Sequence, residues 1–129
     1  MERVLTFTAN PAIDVITRVN LVVADRKLQC AAWVVIVSLG AGGALAVSAE
    51  WSERLTAPTV PLKSRAGAGD SMVAGVVLGL ARGRPLAEAV RFGLAAGTAA
   101  VMAPGTGLSA REDAERLFAA MGTGIATPR

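Results

Sequence analysis

Five consecutive residues, Gly67-Ala68-Gly69-Asp70-Ser71, carry the combination best suited to chemistry in this sequence of 129 residues. Glycines let the backbone turn tightly and bring its N–H groups close to a ligand, and a helix starting here would add about half a positive charge at its N-terminus. That arrangement suits a phosphate. A carboxylate at the same place could accept the proton of an attacking hydroxyl while the neighbouring amides stabilise charge on a transferred phosphoryl group. Taken alone, the segment is more economically a turn and a helix cap, with Asp70 or Ser71 doing no more than satisfying free amides. No Walker A pattern is present: the glycines at Gly40, Gly42 and Gly43 are not followed by G-K-[ST] and lack the G-x-G-x-x-G spacing.

Composition excludes other chemistries. With no histidine and one cysteine, Cys30, neither a Cys/His zinc cluster, a Ser-His-Asp or Cys-His centre, nor a disulfide framework can be assembled. Thirteen basic against ten acidic side chains give a formal charge of +3. The basic residues are scattered, and Phe7, Trp33, Trp51, Phe92 and Phe118 are the only aromatics available to stack on bases, so no nucleic-acid partner is expected. The hydrophobic fraction is 53%, yet no run matches the roughly 20 apolar residues of a membrane span. The stretch 71–81 stops at Arg82, and 92–109 contains Pro104 with Gly97, Gly105 and Gly107. Met1-Glu2-Arg3 leads into a polar, proline-containing stretch rather than a signal-peptide core, and the expected location is cytoplasmic.

The elements that must position the Gly-Ala-Gly-Asp segment follow from periodicity. Residues 4–8 alternate and are β-prone before Asn10-Pro11, and the β-branched stretch 13–23 supplies one or two more extended pieces. Residues 33–39 form a near-continuous apolar run, as in a strand buried on both faces of a parallel sheet. Gly40, Gly42 and Gly43 turn the chain into a strand at 44–48, and 51–64, with Pro58 and Pro61, is expected to be extended or irregular. The period then changes. Residues 68–82 read as a helix starting near Asp70-Ser71 and stopped by Gly83, and Pro85 sits in the first turn of a second helix through about Met102. Ser109-Ala110-Arg111-Glu112 is an S-x-x-E capping box for a third helix through about Met121. The spacing of Gly75, Gly79 and Gly83, and of Gly93 and Gly97, fits close helix packing in a soluble fold better than pairing in a membrane. The tail 122–129 is expected to fray. Strands followed by helices give an α/β class with too few strands for a complete layered fold.

Three blocks raise the Gly-Ala-Gly-Asp segment above a cap. Val35-Ile36-Val37-Ser38-Leu39-Gly40-Ala41-Gly42-Gly43-Ala44-Leu45, Lys63-Ser64-Arg65-Ala66-Gly67-Ala68-Gly69-Asp70-Ser71-Met72-Val73-Ala74-Gly75 and Val90-Arg91-Phe92-Gly93-Leu94-Ala95-Ala96-Gly97-Thr98-Ala99-Ala100 closely resemble, in order and spacing, the C-terminal half of the PfkB (ribokinase-like) carbohydrate kinases. The opening Leu5-Thr6-Phe7-Thr8-Ala9-Asn10-Pro11-Ala12-Ile13-Asp14 looks like the N-terminus of the family's sugar-phosphate branch, and Lys27-Leu28-Gln29-Cys30 is most similar to its minor bacterial 6-phosphofructokinase type.

The resemblance implies a ribokinase-like α/β fold, a Rossmann-like parallel sheet with helices and an N-terminal β lid, incomplete in this chain. Residues 1–33 would be the strand and lid fragment, 34–121 the nucleotide-binding part and 122–129 the tail. It implies ATP-dependent phosphoryl transfer to a hydroxyl of a ketohexose phosphate. By position, Asp70 resembles the family's catalytic base and Gly67, Ala68 and Gly69 its anion hole. Ser38, Gly40 and Gly43 resemble the nucleotide-contacting turn, Leu94 and Thr98 the adenine side, Asp14 the residue that binds the sugar hydroxyls, and Lys27 a nucleotide- or substrate-proximal lysine. The family uses ATP with Mg2+, and many members are assisted by a potassium ion (K+), here around Ser64, Ala66 and Gly105. A small-molecule sugar phosphate is the implied partner, and a homodimer through the N-terminal strands is the implied assembly.

Departures from the family pattern are large. The chain is less than half the usual length, and the deficit is internal: within a few residues of Cys30 it reaches Val34-Val35-Ile36-Val37. The Gly-Gly substrate motif and most of the sheet are missing from that junction, as is the Asn-x-x-Glu motif associated with magnesium. Asn10 and Asn20, the only asparagines, are followed three residues later by Ile13 and Val23. Arg65-Ala66 stands where the family commonly has Thr and a small or β-branched residue, and an arginine there could still meet a phosphate or could crowd the monovalent-ion loop. Because phosphoryl transfer works by positioning both substrates and the metal, activity of this shortened chain is expected to be weak or absent. The alternative function is a noncatalytic nucleotide-binding or interaction remnant.

Overall fold

Short connections decide the sheet. The computed structural model describes residues 4–10, 13–18, 32–122 and 127–128. Strands β1 (Val4–Asn10), β2 (Ile13–Arg18), β3 (Ala32–Ser38), β4 (Ala44–Ser48), β5 (Trp51–Leu55) and β6 (Thr127–Pro128) pair in the order β1-β2-β3-β4-β5-β6, each antiparallel to its neighbour. The expectation of a parallel sheet around 33–39 is therefore corrected. Only residues 39–43 join β3 to β4 and only Ala49 and Glu50 join β4 to β5, far short of the dozen or so residues that a parallel crossover needs. The apolar run of β3 also hides an alternation, with Val34 and Ile36 fully buried and Trp33 exposed.

Three further expectations change. Residues 51–55 form a strand because Ser48, buried at the end of β4, accepts hydrogen bonds at Oγ from the amides of Glu50 (3.2 Å) and Trp51 (3.1 Å) and so closes the turn. The tail is not wholly free, since Thr127 and Pro128 lie in register with Ser52 and Trp51. The capping box at Ser109 does not form: the third helix starts one residue late, with Ala110 as its N-cap and no side-chain cap bond.

Three helices follow β5: α1 (Ala68–Ala81), α2 (Leu86–Ala100) and α3 (Arg111–Ala120). One sheet face, with Val34, Ile36, Ala44, Ala46 and Leu55, is sealed by Met72 and Val76 of α1 and by Ala89, Val90 and Leu94 of α2. A second cluster joins α2 to α3 through Ala95, Ala96, Ala99, Ala114 and Leu117. Helix α2 is thus the central element, buried along residues 89–100. Small residues let it meet α1 backbone to backbone; a Cβ on Gly75 would stand 2.8 Å from the Gly93 Cα. Among the described residues no helix is long and apolar enough to cross a membrane.

One buried ion pair crosses the layers. Arg91 of α2 donates to a carboxylate oxygen of Glu53 on β5 at 3.3 Å, with both side chains more than nine-tenths buried. The α1–α2 connection is clamped onto α3 by Arg84, whose guanidinium lies 5.2 Å from the Phe92 ring centre and 4.5 Å from that of Phe118.

Candidate functional site

The glycine turn after β3 comes first in the chain. The Leu39 amide donates to the Gly43 carbonyl at 2.8 Å and the Gly43 amide to the Gly40 carbonyl at 3.0 Å, closing a one-turn 3-10 segment over Gly40–Gly42. Gly43 has φ +93, and a Cβ there would collide with the Leu55 carbonyl oxygen, so no other residue fits between β4 and the chain leaving β5. Beyond β5 the chain runs across the C-terminal end of α2, where the amides of Lys63 and Ser64 both donate to the Val101 carbonyl, at 2.8 and 3.2 Å. That crossing delivers residues 65–70 to the same place.

Helix α1 begins at Ala68, two residues before the expected Asp70-Ser71 start, because Gly67 takes the left-handed conformation at φ +73 and serves as N-cap. No side chain caps it, so neither Asp70 nor Ser71 plays the capping role open to them on sequence grounds. The helical ladder closes first from the Ser71 amide to the Gly67 carbonyl at 2.9 Å. Of the amides ahead of it, that of Ala68 donates to the Arg65 carbonyl at 3.5 Å, and those of Gly69 and Asp70 belong to the set that a helix leaves without intrahelical partners.

These segments enclose a cleft of about 590 Å³. Ser38, Gly40 and Gly43 line it from the turn, Ala68 and Gly69 from the start of α1, and Leu94 and Thr98 from α2. Residues assigned from three separate blocks of sequence therefore share one volume. The remaining lining is mainly apolar, including Leu39, Val60, Met72 and Val101. The Thr98 hydroxyl donates to the Leu94 carbonyl at 2.8 Å, which commits its proton to the helix and leaves its methyl group and lone pairs to face a ligand.

Other expected site residues lie outside the lining. Gly67 caps α1, and Asp70 is exposed in its first turn, one residue beyond Gly69. Ser64 accepts a bond at Oγ from the Ala66 amide at 3.2 Å, and Gly105, at φ +62, sits in the turn after α2. The bonds from Lys63 and Ser64 tie the first segment to Val101, four residues before Gly105. Asp14 occupies the β2 position opposite Ile36, two residues along β3 from Ser38. Lys27 lies outside the described residues.

Arg65, a departure from the family pattern that could meet a phosphate, was not among the expected site residues. It lines the cleft beside Ala68 and Gly69 and is the single charged residue among the described lining. Its position directly before Gly-Ala-Gly-Asp was the available signal.

A cleft with an apolar wall, a helix N-terminus and one guanidinium fits a nucleotide, taking the base against carbon and the phosphates toward amides and positive charge. Magnesium fits less well. The ion is usually held by one or two carboxylates together with phosphates and water, and among the described residues there is no group of three His, Cys, Asp or Glu side chains that could hold a metal. Among the described residues no carboxylate lines the cleft, and Asp70 follows directly after the lining residue Gly69.

Comparison with known proteins gives the family. Residues 11–113 match the pattern of the pfkB family carbohydrate kinases. The chain is similar to the ATP-dependent 6-phosphofructokinase isozyme 2 of Mycobacterium tuberculosis, with 46% identity over 85 residues that cover 66% of this chain and 25% of the relative. Among solved structures it is similar to phosphofructokinase-2 from Escherichia coli in complex with potassium, at 43% identity and a TM-score of 0.65, covering 68% of this chain and 28% of that one. A ribokinase from Thermotoga maritima is similar at 30% identity and a TM-score of 0.61, covering 65% and 29%. The chain thus spans about a quarter of the length of the curated relatives it matches.

Proposed function

The chain belongs to the pfkB family of carbohydrate kinases, and from that premise we propose that its cleft holds ATP and that Asp70 serves phosphoryl transfer to a hydroxyl of a ketohexose phosphate, in the manner of a 6-phosphofructokinase. One observation carries the reading: Ser38, Gly40 and Gly43, Ala68 and Gly69, and Leu94 and Thr98 line a single cleft although they come from three distant parts of the sequence.

In the proposed step the acceptor hydroxyl oxygen forms a bond to the γ-phosphorus and loses its proton to Asp70. The bond from the γ-phosphorus to the bridging oxygen breaks, and ADP departs with that oxygen's electron pair. The amides at the start of α1 stabilise charge on the transferred group. Leu94 and Thr98 face the adenine, and Ser38, Gly40 and Gly43 contact the nucleotide. Magnesium, when bound with ATP, would supply further neutralisation of the phosphates. Asp14 and Lys27 are the candidates for contact with the sugar phosphate, and the Ser64, Ala66 and Gly105 segments for K+. The proposed setting is cytoplasmic, and a homodimer is the proposed assembly, which would cover some of the apolar sheet face that leaves Trp33 and Leu45 exposed.

Turnover by this chain is proposed to be weak. Asp70 is exposed, whereas a phosphoryl-transfer base acts efficiently only when its acceptor is held in line and shielded from water. The same exposure favours the second reading, a nucleotide-binding remnant without catalysis. ADP release from ATP with fructose 6-phosphate separates them. Turnover above that of an Asp70→Ala variant supports the kinase, and turnover equal to it leaves only binding.

A further inference from the structure

Arg65, like Arg54 and Arg111, has no ion pair among the described residues, in contrast to four other arginines packed around the helices. Arg82, Arg84, Arg91 and Arg116 each have a carboxylate within ion-pair distance. Arg65 has none among the described residues, not even Asp70 five positions later, and its side chain is exposed. It is also the arginine that lines the cleft, next to the two residues that open α1. A site that brings one positive charge, no carboxylate in its lining and the start of a helix to the same end selects for a polyanion there.

We infer that Arg65 is the phosphate-reading residue of the cleft, binding the terminal phosphates of a nucleoside polyphosphate and supplying neutralising charge that elsewhere falls to a carboxylate-held divalent cation. The inference rests on the nucleotide reading above and deepens it. A guanidinium presents a planar fork of donors that matches two phosphate oxygens at once. The ligand class follows: nucleoside tri- and diphosphates are preferred over the monophosphate and the nucleoside, and the metal-free triphosphate is accepted because Arg65 itself supplies neutralising charge.

The test is calorimetric titration of the intact chain with ATP, ADP, AMP and adenosine, in EDTA and again in magnesium, for the parent, Arg65→Ala and Arg65→Lys. The expected result is an affinity that climbs with phosphate number in EDTA. Arg65→Ala should lose on the order of 10- to 100-fold for ATP, the usual weight of a charge-assisted contact. Adenosine binding should stay as in the parent, which also reports that the variant is folded, and Arg65→Lys should recover part of the loss. An Arg65→Ala variant that keeps the parent's climb overturns the inference and leaves the nucleotide reading standing, as does a climb that vanishes in EDTA. Absence of binding by any of the four ligands to the folded parent overturns both.

Discussion

The Ala68 carbonyl oxygen lies 2.9 Å from where a Cβ on Gly97 would stand. Helices α1 and α2 therefore meet without side chains between them at the point where both residues line the cleft. The position of the α1 amides relative to Leu94 and Thr98 is set by this contact, so the small residue at 97 serves the site as well as the fold. Gly97→Ala should push the helices apart, at a cost of about 1–3 kcal/mol, the range for overpacking a tight interior, and should weaken ATP binding along with stability. Urea denaturation reads the first effect and titration the second. A variant as stable as the parent would mean that the helices separate freely.

The buried pair of Arg91 and Glu53 predicts an asymmetric response. One carboxylate oxygen of Glu53 has no hydrogen-bond partner among the described residues, so removing Arg91 leaves a buried charge without its main compensation. Arg91→Met should cost on the order of 3–5 kcal/mol. Replacing both, as Glu53→Leu with Arg91→Met, should recover most of that loss, because two well-packed apolar groups need no compensation. Chemical denaturation of the single and double variants checks it, and a double variant no better than the single one would contradict it.

Asp70 is exposed and makes no cap bond, so its role can be separated from folding. Asp70→Asn should leave the melting temperature unchanged and lower any turnover with fructose 6-phosphate by about 10²- to 10⁴-fold, the usual contribution of a general base. ATP binding should hold or tighten, since a negative charge near the phosphates is removed. A parallel loss of ATP binding would show that the carboxylate acts on the nucleotide instead.

Ala41 offers a way to close the cleft from outside. It is exposed on the 3-10 turn and lines the cleft without entering the core. Ala41→Trp should therefore abolish or strongly weaken nucleotide binding with little change in melting temperature. Unchanged ATP affinity in this variant would place the nucleotide elsewhere.

What could be read from sequence, and what could not, follows from how local each determinant is. Gly67, Gly40 and Gly43 announce themselves because left-handed backbone and close approach demand glycine, and the assignments tied to them fall around one cleft. Strand direction was not local. Val35 and Val37, partly buried on the outer face of β3, masked the alternation of Val34 and Ile36 and made an antiparallel strand look fully buried. Strand β5 could be read only as extended or irregular because its turn depends on one hydroxyl, that of Ser48. That Arg65 could meet a phosphate was legible from its place before Gly-Ala-Gly-Asp, but its position in the cleft lining was not, because it depends on the chain crossing α2 at Val101, a contact between residues almost forty positions apart.

The central claim is that the cleft between the Ser38–Gly43 turn, α1 and α2 is a nucleotide site. A crystal structure of the chain grown with a non-hydrolysable ATP analogue tests it most directly. The account predicts the adenine ring against Leu94, Thr98 and Val101, with the phosphates directed toward Gly69 and Arg65. An analogue bound at another surface, or an empty cleft at saturating analogue, would contradict it.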